Sequence, residues 1–187
     1  NVQSFNISQP APLVLTANIT PVSCFGGSNG SIAIEISGGN GGGTFAYLWS
    51  TGSTSSMLFG LPVGTYTVTV VDINNCTATL PVQLTQPAQL VVTGITACET
   101  STNAQVTGGT PPYLYSWRLG SPNGQVMATG PNPQNLIPGL YYLVVFDAKD
   151  CTVVSAPFTF GANTTPCTRI TGRIILDENI NCAEDPQ

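Results

Sequence analysis

Six cysteines, Cys24, Cys76, Cys98, Cys151, Cys167 and Cys182, are the most reactive side chains in a 187-residue chain that contains no histidine. Without an imidazole there is no ordinary general base for a Ser or Cys nucleophile. A zinc site also lacks its usual ligand set, and no CxxC pair occurs. Disulfide formation is therefore the chemistry expected of these thiols. Their spacing suggests how they pair: Cys24 to Cys76 spans 52 residues (76 − 24) and Cys98 to Cys151 spans 53 (151 − 98). One bond within each half of the chain is the economical expectation, formed in an oxidising, extracytoplasmic compartment. Closing such a loop would remove roughly 4 kcal/mol of unfolded-state entropy.

The acidic residues are the second set to weigh. Asp177, Asn179, Asn181 and Asp185 fall at the first, third, fifth and ninth positions of an oxygen-ligand loop, a calcium pattern. Cys182 stands where that pattern has Gly, and the distal Glu is lacking, so a plain acidic loop is the competing reading. Asp72, Asn74 and Asn75, like Asp147 and Asp150, stand just before a cysteine. They read as turn residues that cap their own backbone, in preference to calcium ligands. Nothing else in the sequence asks for a cofactor. Nine acidic residues, several of them in the tail, make a two-carboxylate hydrolase an unfavoured reading. No nucleophile elbow is present, and the chain is expected not to be an enzyme.

Charge excludes two partner classes. A net charge of −5 with four Lys+Arg cannot neutralise phosphates, so nucleic acid is not expected. The same scarcity argues against an anionic membrane surface. No apolar run is long enough to span a bilayer, so membrane insertion is not expected either.

The elements that must position these residues come in two copies. "LPVGTYTVTVVDINNC" (Leu61–Cys76) returns as "LIPGLYYLVVFDAKDC" (Leu136–Cys151), with both ends offset by 75. Upstream, "SQPAPL" matches "TQPAQL", "SIAIEISGG" matches "TNAQVTGG", and "TFAYLWS" matches "PYLYSWR". The expected organisation is residues 10–87 and 88–165 as two β-sandwich repeats. Residues 1–9 read as the last strand of a preceding repeat or as a donor strand. Residues 166–187 read as one strand, Ile170–Leu176, opening a further, truncated β domain. The chain is expected to be a piece of a longer tandem protein.

Period-two alternation makes the fold class all-β. Tyr66, Val68 and Val70 face one way, and the intervening threonines the other. Four traverses are expected between Cys24 and Cys76: Ser31–Ser37, Phe45–Ser50, Ser55–Phe59 and Thr65–Val71. An even number brings both cysteines to one end of the sandwich, within bonding reach. In the second repeat the longer Gly120–Gln134 stretch has room for an extra short strand.

Tyr66 and Tyr141, each two residues after a Gly, read as tyrosine corners in preference to ligand-stacking groups. Trp49 and Trp117 read as core residues in preference to sugar platforms. One difference stands out between the copies. Leu140, Tyr142, Val144 and Phe146 occupy positions where the first copy has Thr65, Thr67, Thr69 and Val71. An apolar outer face of this kind suggests a contact with a neighbouring domain or subunit, or cover by a local loop.

Together, "CFGGSNGSI", "YLWS", "LPVGTYTVTVVDINNC" and "LTQP" resemble one SprB-type repeat, found in very large surface proteins of the Bacteroidota that include gliding-motility adhesins. The second copy lacks the "CxGGxxGS" turn, while "GGTPPYLYSW" fits the pattern. The tail "ITGRIILDENINCAEDP" is similar, over a short stretch, to the opening of calcium-binding repeats of surface adhesins. The resemblance implies tandem Ig-like or PKD-like sandwiches, secreted by the type IX pathway, in a stalk or adhesive filament. It carries no catalytic motif. The implied partners are neighbouring repeats or subunits of the same protein, with surface glycans as a further candidate. Two other functions fit the residues: a carbohydrate-binding module attached to a secreted enzyme, and a filament subunit that polymerises by strand complementation.

Overall fold

The computed structural model describes residues 11–39, 44–98, 101–161, 167–171 and 173–176. Every regular element among them is a β-strand, as the alternation requires. The chain divides into two compact units, Asn1–Gln86 and Pro87–Gln187.

In the first unit, β1 (Val14–Thr20), β2 (Gly30–Ser37) and β4 (Met57–Leu61) form one antiparallel sheet. The strands β3 (Ala46–Trp49), β5 (Gly64–Val71) and β6 (Thr77–Leu84) form the other. Along β5, Tyr66, Val68 and Val70 are buried while Thr65, Thr67 and Thr69 are partly or fully exposed. They pack with Val22, Ile32, Ile34, Trp49, Val82 and Leu84 in one core. Each fully buried aliphatic here contributes about 2 kcal/mol of transfer free energy.

The number of crossings differs from the expected four. Strand β3 pairs with the far half of β5, Ala46 with Val71 through Trp49 with Val68. Strand β4 pairs in the other sheet with the opposite half of β2, Met57 with Ala33 through Leu61 with Gly30. The chain changes sheets between them, so β3 and β4 are two halves of a single crossing. Three crossings therefore separate Cys24 from Cys76, and they lie at opposite ends of the unit. Eight residues of β5 hold those ends roughly 25 Å apart, far beyond the ~7 Å Cα limit of a disulfide. The expected Cys24–Cys76 bond does not form: Cys76 is a free, exposed thiol, and Cys24 is disulfide-bonded.

In the second unit, β9 (Leu114–Leu119) and β11 (Gly139–Phe146) form the centre of one sheet. It is flanked by β10 (Val126–Thr129) on one side, and by β12 (Thr152–Val154) and β13 (Phe158–Phe160) on the other. The facing sheet holds β7 (Val91–Cys98) and β8 (Ser101–Thr107). Strand β10 lies in the long Gly120–Gln134 stretch. Pro131 and Pro133 then run beside β8, accepting from Ala104 N (3.0 Å) and Thr102 N (3.2 Å). Two prolines offer acceptors without donors, which suits this edge position. The pair expected in this unit is kept apart too. Cys98 pairs with Ser101 at one end of the β7–β8 ladder, whereas Thr107 pairs with Val91 at the other. Cys151 belongs to the Val91 end, because Asp147 bonds both its amide and that of Thr110. Cys98 and Cys151 are thus separated by the length of β7, roughly 23 Å, and the expected bond between them is out of reach.

The tail run expected as one strand over Ile170–Leu176 is divided. Strands β14 (Cys167–Thr171) and β15 (Arg173–Leu176) form a hairpin with Thr171 opposite Arg173. Strand β14 extends the β7–β8 sheet by pairing with β7, Cys167 opposite Cys98.

Candidate functional site

The repeated corner, strand and turn were the obvious place for duplicated chemistry, and the structure shows what its polar atoms do. Tyr66 Oη donates to Pro62 O and Tyr141 Oη to Ile137 O, both at 2.9 Å. Each bond closes back over four residues, so the hydroxyl secures the chain as it enters the long strand. Both rings are buried. Burial pushes the Tyr141 hydroxyl up, which keeps it a donor. Tyr66→Phe and Tyr141→Phe are each expected to cost their own unit about 1 kcal/mol, read as a lower urea midpoint with unchanged slope.

The tryptophans are equally committed. Trp49 is 2% and Trp117 0% exposed. Trp49 Nε1 donates to Ser55 O and Trp117 Nε1 to Gly130 O, each at 2.8 Å. Trp117 meets Phe158 edge-on at 5.7 Å, and Phe158 stacks on Tyr141 at 6.1 Å. A face that touches core atoms cannot present itself to a sugar ring, so neither indole forms a stacking platform.

The two turns before the cysteines are congruent. Asp72 Oδ1 accepts from Asn74 N (2.9 Å) and Cys76 N (2.8 Å). Asp147 Oδ1 accepts from Lys149 N (2.8 Å) and Cys151 N (3.0 Å), and its Oδ2 from Thr110 N (2.7 Å). Asn75 and Asp150 take the left-handed conformation at φ 62° and 60°, where Asn and Asp are tolerated best. Both carboxylates are buried, at 5% and 2% exposure. Burial alone would raise the Asp147 pKa. The three backbone N–H groups and the nearby Lys149 charge outweigh it and lower the pKa below its ordinary value. These aspartates organise turns; among the described residues no three His, Cys, Asp or Glu side chains gather as a metal site.

The recurring Gly-Gly pair has a physical cause that spacing alone did not reveal. Gly38 and Gly108 have φ +72° and +73°, and a Cβ on either would overlap the carbonyl oxygen of Pro12 or Gln89. The second glycine, Gly109, leaves room for Asp147 Oδ2, which would lie 2.7 Å from an added Cβ. Each pair lets the end of β2 or β8 pass close to the segment that precedes the unit's first strand.

The apolar outer face of β11 is not uniform. Leu140 is exposed, Tyr142 and Phe146 are partly buried, and Val144 is buried at 4%. Asp177, Asn179, Asn181, Asp185 and Cys182 lie outside the described residues. No helix among the described residues is long and apolar enough to cross a membrane.

The comparison with known families agrees with the residue patterns of the first copy. Residues 16–54 match the SprB repeat, a structural rather than catalytic repeat family. The matched stretch runs from β1 through β3 and includes Cys24, the Gly38-Gly39 pair and Trp49. No curated protein matches the chain.

Proposed function

We propose, taking residues 16–54 as an SprB repeat, that the chain is a non-catalytic structural segment of a large bacterial cell-surface protein. It comprises two consecutive Ig-like β-sandwich modules of a stalk or filament. One observation carries the reading: the residue types that could have served a site are consumed by the fold. Both tyrosine hydroxyls, both indole N–H groups and both turn carboxylates bond backbone within their own module. In the first module the chain also enters beside Val14 and leaves beside Leu84, at opposite ends. Modules with opposed ends add length when placed in series. Residues that serve every module alike, such as Tyr66 and Tyr141, suit a part used repeatedly as a spacer. Neighbouring repeats are the partners this arrangement asks for.

Antibodies raised against residues 11–161 test the assignment on the producing cells. Intact cells are expected to label, with electron microscopy placing the label on projections outside the outer membrane. Labelling only after permeabilisation would overturn it. Binding of the purified chain to an immobilised glycan panel would move the reading to a carbohydrate-binding module.

A further inference from the structure

Arg118 is the one charged side chain on strands β9 to β13, the five-stranded sheet of the second module. It stands on the outer face of β9, opposite Tyr142 of β11 and Val126 of β10. The residue is only partly exposed, and its Nε is closed off from solvent without a hydrogen-bond partner. A surface arginine ordinarily buries its stem and keeps its head in water. Here the guanidinium is drawn down onto the sheet with a donor left unmet, which is rare for a buried polar atom. The acids of this module among the described residues are Asp147 and Asp150, both in the turn beyond Phe146. Asp147 lies five residues past Tyr142, roughly 17 Å along the strand, and both its oxygens accept from turn amides.

The surroundings of Arg118 are apolar. Leu114, Val126 and Leu140 are exposed, with Tyr142 and Phe146 partly exposed. The first module differs at the same place. There Ser50 follows the core tryptophan, and it bonds Thr67 of β5 through its backbone N–H and its hydroxyl. The guanidinium opposite a tyrosine ring is a feature of the second module and not of the repeat.

We propose that the outer face of β9 and β11 docks a protein partner that sets one Asp or Glu carboxylate, ringed by apolar side chains, against the Arg118 guanidinium. A carboxylate matches the planar fork of a guanidinium and supplies the charge this sheet lacks. The partly exposed end of the guanidinium is the end such a partner meets. Tyr, Phe and Arg set among aliphatic residues, with other charges absent, is the composition of an interface centre. A saccharide asks for many hydroxyl and amide partners, and this face offers chiefly Leu and Val. A second copy docking through the same face would bring another Arg118 and no acid, so like charges would meet. The occupant is therefore a different protein surface.

The test titrates the isotope-labelled, oxidised full chain by NMR with acetyl-Leu-Glu-Leu-amide and with its Gln and Lys counterparts. The Glu peptide is expected to shift the Arg118 Nε–H signal and the amides of β11. It should bind roughly tenfold more tightly than the Gln peptide, and the Lys peptide should not bind. In Arg118→Gln the preference for Glu over Gln is expected to vanish. The Trp117 Nε1–H signal should stay in place in that variant, which separates lost recognition from a lost fold. Equal binding of the three peptides, or shifts confined to other surfaces, overturns the proposal. Tighter binding of tetragalacturonate than of the Glu peptide also overturns it, and makes the face a site for an acidic saccharide. Dimerisation of the chain that Arg118→Gln abolishes, seen by sedimentation velocity, overturns it in favour of a second copy. The face lies within one module, and no outcome depends on where the protein sits in the cell, which the intact-cell labelling tests separately.

Discussion

Trp117→Ala is expected to lower the stability of the second module by about 4 kcal/mol, the largest effect of any single truncation considered. The indole is fully buried and sits at the centre of an aromatic cluster with Phe158, Tyr141 and Phe160. Removing it leaves a cavity between the sheets. It also strips Gly130 O of the Nε1 donor at 2.8 Å, so an acceptor is left without its bond. A domain of this size has only about 5–15 kcal/mol in total, so the variant module would lose a large share of its stability. Urea unfolding followed by circular dichroism checks this. Trp49→Ala provides the internal comparison, since it should shift the first module's transition instead. A midpoint for Trp117→Ala indistinguishable from wild type would refute the core assignment.

Asp147→Ala is expected to cost about 3 kcal/mol. The carboxylate is the acceptor for three backbone N–H groups, from Thr110, Lys149 and Cys151. Alanine would leave those donors competing for water from a nearly closed site. Asp147→Asn keeps one acceptor oxygen and should fall between alanine and wild type. The effect carries a pH signature. Because the folded pKa is lowered, the stabilisation is complete above the unfolded value of 3.8. It is lost as pH falls through the depressed folded value, where the folded form must also take up the proton. The stability gap between wild type and Asp147→Asn should therefore stay constant from neutral pH to about 4 and narrow below it. A gap unchanged down to pH ~2 would contradict the depressed pKa.

Much of this architecture was legible in the residues. Tyr66, Val68 and Val70 alternate with threonines because one side of β5 faces the core, and that pattern survives translation into structure without loss. The recurrence of Gly-x-Tyr and Asp-x-x-x-Cys at a constant offset marked the corner and the capped turn. The pairing of the cysteines was not legible, for a definite reason. Alternation reports which face of a strand is buried, not which of two sheets the strand joins. Phe45–Ser50 and Ser55–Phe59 both alternate like strands, yet one half-length strand lies in each sheet. The switch occurs at Ser50–Ser56, where Gly52 takes φ +83°. Counting them as two crossings reversed the parity and moved Cys76 to the wrong end. The Gly-Gly pairs were visible as punctuation, but their close approach to Pro12 and Gln89 depends on a neighbour distant in sequence.

The direction of the first module's outer strands bears on how it would carry tension. Strand β1 runs from the Val14 end to the Thr20 end, and β6 runs the same way, from Thr77 to Leu84. A pull on the two chain ends therefore acts along both strands and across their hydrogen bonds, which lie perpendicular to the strands. The seven paired residues of β1 and the eight of β6 would be sheared together, whereas a hairpin pulled open from one end peels rung by rung. Such a module holds its length under load until a whole ladder slips, then gives way in a single step.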